Sequence, residues 1–112
     1  MATKARTNAN FPSTGRGSTG STASGDWATI FALPNEDGAW LVSASGTTAL
    51  DQAASNYVMT ALVQNMPGTG AAQISTLLAA AFVESRLDGK NVQIRQTSGV
   101  NQTMRFSVVR IF

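Results

Sequence analysis

The chemistry open to this chain is bounded first by what it lacks. Its 112 residues include no histidine and no cysteine. That removes the usual general base, the thiolate nucleophile and the common zinc ligands together. The acids are Asp26, Glu36, Asp37, Asp51, Glu84 and Asp88. Glu36, Asp37 and Asp88 fall in stretches that read as turns, where carboxylates accept local backbone N–H bonds. Asp51 and Glu84 are the one pair open to glycosidase-type acid–base work, and nothing in their spacing supports it. Gly15-Arg16-Gly17 and Gly68-Thr69-Gly70 are not followed by Gly-Lys-Ser/Thr, so neither reads as a phosphate cradle. This inventory predicts no catalytic residues, no metal site, no cofactor and no enzymatic activity.

The cations carry more information. Arg95, Arg105 and Arg110 lie on what read as the last two strands. Their plain role is solvation or cross-strand pairing with Glu84 and Asp88, which contributes little per pair. Their functional role would be an interface or glycan-contacting row, with Arg95 and Arg105 as candidate receptor contacts. Lys4, Arg6 and Arg16 face a single acid, Asp26, in residues 1–26, whereas five basic and five acidic residues balance in the remainder. Three dispersed cations are too few for a nucleic-acid tail, because such affinity scales with the phosphates neutralised. A basic-armed nucleic-acid-binding protein is therefore the third reading, behind the two given below. Charged residues are only 12% of the chain, about half of the typical fraction, which suits a surface that meets other protein. No window reaches the ~18 apolar residues of a membrane span, and no apolar signal-peptide region is visible at the start. Synthesis in a cytoplasm without export is expected.

The elements that must position these groups divide the chain in two. Residues 1–25 hold one large apolar side chain, Phe11, among Ser, Thr, Gly, Asn and Ala, with Ser-Thr-Gly recurring. They read either as a flexible linker or as an extended attachment peptide. In the second reading Phe11-Pro12 is an anchoring wedge, and Lys4, Arg6 and Arg16 assist the anchoring. Residues 26–112 form the folding unit. Trp27–Leu33 and Trp40–Ala44 alternate in polarity around Pro34-Asn35-Glu36-Asp37-Gly38, which predicts a hairpin with Gly38 at positive φ and both tryptophans filling a core in preference to stacking on a ligand. Residues 47–56 read as a short helix or a loop, followed by a strand over 57–64. For residues 71–89, Ile74, Leu77, Leu78, Ala81 and Phe82 match the i, i+3, i+4, i+7, i+8 template of an amphipathic helix within 71–83. The rival is two strands, about 73–78 and 80–87. Asp88-Gly89 is a hairpin signal, which would join the second of these to strands over 91–96 and 103–111 as one antiparallel meander.

The segment VQIRQTSGVNQTMRFSVVRIF, from Val92 to Phe112, resembles the closing segment of tailed-bacteriophage fibre and appendage proteins, and GAWLVSASG resembles an early strand of the same modules. The resemblance covers about residues 27–112. It implies a mainly β fold, an antiparallel β-sandwich or jelly-roll-like head, and turns the reading of residues 73–87 from helix to strands. It further implies a non-enzymatic virion protein: residues 1–25 as an arm anchored to a capsid or tail protein, residues 26–112 as the head. Such heads are commonly homotrimers used for decoration, adhesion or host-receptor binding. Phe106, Val108, Ile111 and Phe112 are the expected subunit interface, because a core of this size is thin and partners could complete it. A host receptor-binding head of a tail fibre is the alternative function.

Overall fold

The computed structural model describes residues 15–46 and 58–112. Among them, eight strands run in order β1 (Gly15–Thr22), β2 (Ala28–Ala32), β3 (Gly38–Gly46), β4 (Val58–Asn65), β5 (Gln73–Leu78), β6 (Val83–Asp88), β7 (Asn91–Gln96) and β8 (Gln102–Arg110). They form two antiparallel sheets, a five-stranded one in the order β1-β8-β3-β4-β5 and a three-stranded one in the order β2-β7-β6. The sheets pack face to face as a β-sandwich-like head, and the fold class is the expected one. The short helix considered for residues 71–83 is absent: β5, a connection and the start of β6 occupy that stretch. The helix or loop considered for 47–56, like Tyr57, lies outside the described residues.

Alternation builds the core. Along β3 the side chains of Trp40, Val42 and Ala44 are buried, and along β4 those of Met59, Ala61 and Val63. The three-stranded sheet answers with Val83, Val92 and Ile94. Two buried clusters result, one around Trp40, Val42, Val63, Val92 and Val108, the other around Ala44, Met59, Ala61, Ile94 and Met104. Ile30, Ile74 and Phe106 pack against both and make the interior continuous. Removing this apolar area from water is the main stabilising term, about 1.5–3 kcal/mol per fully buried large side chain.

Three expectations about pairing are corrected. β2 and β3 do not form a hairpin: β2 pairs with β7, while β3 pairs with β4 and β8. Residues 33–37 instead carry the chain from one sheet to the other, so Phe31 and Trp40 meet across the interior, rings 5.6 Å apart and tilted by 53°. Gly38 is not among the positive-φ glycines. It matters for space, since a Cβ there would sit 2.7 Å from Trp40 Cη2. The expected meander ends after two strands: β6 and β7 pair around Gly89-Lys90, but β8 crosses to the larger sheet. The β6–β7 turn has positive φ at Gly89 (62°) and not at Lys90, which is the pattern of a type II′ loop.

The second half of the expected arm belongs to the larger sheet. Residues 15–22 are β1, an edge strand paired with β8 from Gly15↔Val108 to Thr22↔Gln102. Its side chains stay largely exposed, as their small polar types require, so backbone hydrogen bonds rather than burial hold it. Gly17 lies under the Phe106 ring, where a Cβ would come within 3.0 Å of Cζ. Lys4, Arg6, Phe11 and Pro12 lie outside the described residues.

Buried amides lock the crossings between sheets. Asn65, fully buried, donates Nδ2–H to the carbonyls of Pro34 (2.7 Å) and Glu36 (3.2 Å) and accepts from Lys90 Nζ at 2.6 Å. Gln96, also fully buried, donates to the carbonyls of Thr22 (3.1 Å) and Val100 (2.9 Å). Its Oε1 accepts from the Ser98 backbone N–H and hydroxyl. Both side chains thus pair backbone groups of the connections that the strand ladders do not serve.

Candidate binding face on the three-stranded sheet

The core-facing residues of β7 are Val92, Ile94 and Gln96, so pleating turns Gln93 and Arg95 to the outer face of the small sheet. The pairing of β6 with β7 places Glu84 opposite Arg95 and Arg86 opposite Gln93. On the other side β2 places Thr29 opposite Gln93 and Ala28 opposite Ile94, which brings Trp27 to the level of Arg95. A register shift between Thr29 and Phe31 lies next to Trp27, which is half-buried on the outer face. It breaks the single-face alternation expected for 27–33, sending Ile30 and Phe31 both toward the core. Trp40 fills the core as expected; Trp27 does not.

These side chains form one connected set. Arg95 Nε donates to Glu84 Oε1 at 2.7 Å. Arg86 Nε donates to Gln93 Oε1 at 2.8 Å, and Gln93 Nε2 donates to the Thr29 hydroxyl at 3.0 Å. The guanidinium carbons of Arg86 and Arg95 lie 4.3 and 4.5 Å from the Trp27 ring centroid, within cation–π range. Trp27 is thus held in place by two cations, only one of which is ion-paired among the described residues. Alongside runs a groove of about 440 Å³ lined by Trp27, Thr76, Ala80, Glu84, Ser85 and Arg86 among others. Ser85, opposite Ile94 on the inner face of β6, has a buried Oγ with no hydrogen-bond partner among the described residues.

The candidate residues read from the sequence are scattered. Arg95 lies in this face and pairs with Glu84, one of the two partners expected for it. Arg105 is exposed on the outer face of the larger sheet, where it and Arg16 line a shallow depression of about 200 Å³ with Ser43, Ser45, Val58 and Ser107. Arg95 and Arg105 therefore do not share a surface, because their strands belong to different sheets. Arg16, assigned to the arm, sits on β1 opposite Ser107. Arg110 is a structural clamp: its side chain pairs with Glu36 at 2.7 Å, donates to the carbonyls of Asp37 and Phe112, and lies 5.1 Å from the Trp40 centroid. Val108 is 2% exposed inside this chain's own core, and Phe106 packs against both core clusters. Ile111 and Phe112 are exposed, although the Ile111 N–H still donates to the Ala39 carbonyl at 2.8 Å. Asp51 lies outside the described residues.

The sequence reading did not single out Ser85 or Arg86 for function, and for Trp27 it preferred core filling to ligand stacking. The Asp88-Gly89 turn does set the β6–β7 register, from which Arg86 and Arg95 could have been placed as diagonal neighbours on one face. Trp27 had no such signal, because its place depends on the non-local pairing of β2 with β7.

No family model matches the chain, and no curated protein matches it in sequence. Two solved structures share its fold. One is the tailspike protein gp49 of Acinetobacter baumannii bacteriophage Fri1, a capsular polysaccharide depolymerase. It has a TM-score of 0.57 and 13% identity over 87% of this chain and 17% of that one. The other is the tailspike protein of Acinetobacter phage vB_ApiP_P1, with a TM-score of 0.56 and 16% identity over 88% of this chain and 21% of that one. The chain thus spans about a fifth of the length of either, and at these identities the likeness is one of fold.

Proposed function

We propose that this chain is a non-enzymatic structural module of a phage tail, joined to the virion through its N-terminal segment and displaying the two-sheet head. The observation that carries the reading is the shared fold: 87% and 88% of the chain correspond to parts of two phage tailspike proteins. Depolymerase activity is stated of one of those proteins as a whole and is not transferred to a module spanning 17% of it. A chain with no histidine and no cysteine has little acid–base or nucleophilic capacity of its own. Because β1 is bound to β8, the anchoring role falls to residues 1–14. Electron microscopy of virions that carry the chain, labelled with antibody against the head, is expected to show label at the tail. Deletion of residues 1–14 is expected to leave a soluble folded head that no longer joins particles. Label over the capsid lattice, or particle incorporation without residues 1–14, would overturn this reading.

In this reading the head is a homotrimer, and the surface for it is the outer face of the larger sheet. Leu41 stands opposite both Leu62 and Val109 there, forming an apolar row across β4, β3 and β8. Val109 is 43% exposed, and Ile111 and Phe112 more so. Val109→Asp, or Ile111→Ser with Phe112→Ser, is expected to convert a trimer to a monomer of unchanged circular dichroism. Light scattering after size exclusion reads the outcome, and a persisting trimer would remove this face from assembly. Whole deletion of residues 111–112 is a poorer test, because it also removes the Ile111–Ala39 backbone bond.

The alternative, a host receptor-binding head, is favoured by the Trp27–Arg86–Arg95 face. An ordered aromatic between cations and hydroxyls on an open surface suits recognition more than packing.

A further inference from the structure

We infer that the depression formed by Arg16 and Arg105 on the outer face of the larger sheet binds a phosphate group, held between the two guanidinium groups and the hydroxyls of Ser43, Ser45 and Ser107. The inference goes beyond the virion reading and does not depend on it. Strand register builds the site. Arg16 on β1 stands opposite Ser107 on β8, and Ser107 stands opposite Ser43 on β3. Two residues back along β8, Arg105 stands between Ser18 and Ser45. Val42, Ala44 and Val108 face the core, so pleating turns these alternate residues outward. The two arginines are diagonal neighbours across the β1–β8 pair. Such neighbours lie about 7–8 Å apart, within reach of long side chains, so both guanidinium groups can meet at one ion. With the three serines they line a shallow depression of about 200 Å³.

Charge selects the ligand. None of the five strands of the larger sheet contains Asp or Glu. Its third arginine, Arg110, is paired with Glu36, whereas Arg16 and Arg105 form no ion pair among the described residues. Two like charges side by side repel, and an anion between them reverses the sign of the interaction. Each guanidinium presents a planar fork of N–H donors that fits two oxygens of a phosphate. The serine hydroxyls can donate to the remaining oxygens. With Thr60 as donor in its 3.4 Å contact to Ser43, Ser43 keeps its own proton for the ion. A carboxylate has one charge and two oxygens, too few for two forks and a hydroxyl together. A nucleic-acid strand fits poorly, because two cations neutralise few phosphates.

The test is an amide-resolved NMR titration of the full soluble chain with inorganic phosphate, exchanged for chloride at constant ionic strength so that screening stays fixed. It is repeated on the Ile111→Ser, Phe112→Ser variant, so that copies packed on this face cannot mask the site. Saturable shifts are expected at Arg16, Ser43, Ser45, Arg105 and Ser107. Arg16→Gln and Arg105→Gln are each expected to weaken binding about tenfold, the effect of losing a charge-assisted hydrogen bond. Arg105→Lys, which keeps the charge and loses the fork, should fall in between. Acetate is expected to bind more weakly than phosphate. Glycerol 3-phosphate separates the sources: affinity equal to that of inorganic phosphate assigns the site to a phosphomonoester on a larger molecule, and weaker binding to the free ion. No saturable shift in either chain, acetate binding as tightly as phosphate, or indifference to both Gln substitutions would overturn the inference. So would an oligodeoxythymidylate whose affinity rises steadily with its length, which marks a nucleic-acid surface. Because the titration uses no particle, its failure is distinct from failure of the virion assignment.

Discussion

Replacing Trp40 with alanine is expected to lower the free energy of unfolding by about 3–5 kcal/mol, the range for removing a buried aromatic. Domains of this kind hold only about 5–15 kcal/mol in total, so the variant should be at the margin of folding at physiological temperature. Three features put Trp40 at the top of the range. Its side chain is fully buried, and its neighbours Leu33, Val42, Val63, Val92 and Val108 come from both sheets and the crossing between them. The ring also meets Phe31 across the interior and lies beside the Arg110 guanidinium, which in turn holds Glu36 and the Asp37 carbonyl. A cavity at this point therefore loosens the larger sheet, the smaller sheet and the loop that joins them. Urea denaturation followed by circular dichroism reads the effect as a shift in midpoint. A loss below about 1 kcal/mol would mean that the ring does not hold the sheets together, since that is the cost of an ordinary point substitution.

Replacing Gln96 with leucine is the second large effect, expected at about 3 kcal/mol although the volume hardly changes. The side chain satisfies the carbonyls of Thr22 and Val100 and accepts from Ser98. Leucine offers none of these bonds, and each buried backbone group left unpaired costs about 1–3 kcal/mol. The substitution would improve the apolar count on the inner face of β7 and still destabilise, because the Thr22 and Val100 carbonyls and the Ser98 N–H would lose this side chain as a partner. Amide exchange gives an independent reading: the Ser98 N–H should exchange faster in the variant, while the amides of Val92 and Ile94 should slow or quicken only with global stability. Unchanged stability, or unchanged protection at Ser98, would show that water replaces the side chain at no cost.

Much of this architecture was legible from local pattern. Trp40-Val42-Ala44 against Leu41-Ser43-Ser45 could only be a half-buried strand, and Val92-Ile94 against Gln93-Arg95 likewise. Asp88-Gly89 set a turn at the correct place. The segment 73–87 misleads by itself: Ile74, Leu77 and Leu78 fit a helix period, yet Leu77 and Leu78 are 58% and 52% exposed on an edge strand. Their spacing carried no core, so the period had no structural meaning. Pro34 to Gly38 reads as the tight turn of a hairpin, but the same breakers serve a crossing between sheets equally well, and that is what they form.

The candidate face shows the same division. That Arg95 would pair with a carboxylate on the preceding strand followed from a short hairpin whose register is local. That Trp27 would lie on Arg86 and Arg95 did not, since residues 27 and 95 meet only because β2 pairs with β7. What the sequence determined by itself was strands β3, β4, β7 and β8 with their buried alternation, the Asp88-Gly89 turn and the scarcity of acid–base groups. All of these are set by side-chain chemistry and a period of two. Only the tertiary structure decided which strands are neighbours, that β1 joins the head, and that Arg95 and Arg105 face away from each other. Strand pairing is made by backbone hydrogen bonds, which every residue except proline can form alike. The choice of partner is therefore settled by the packing of the whole core and not by any one segment.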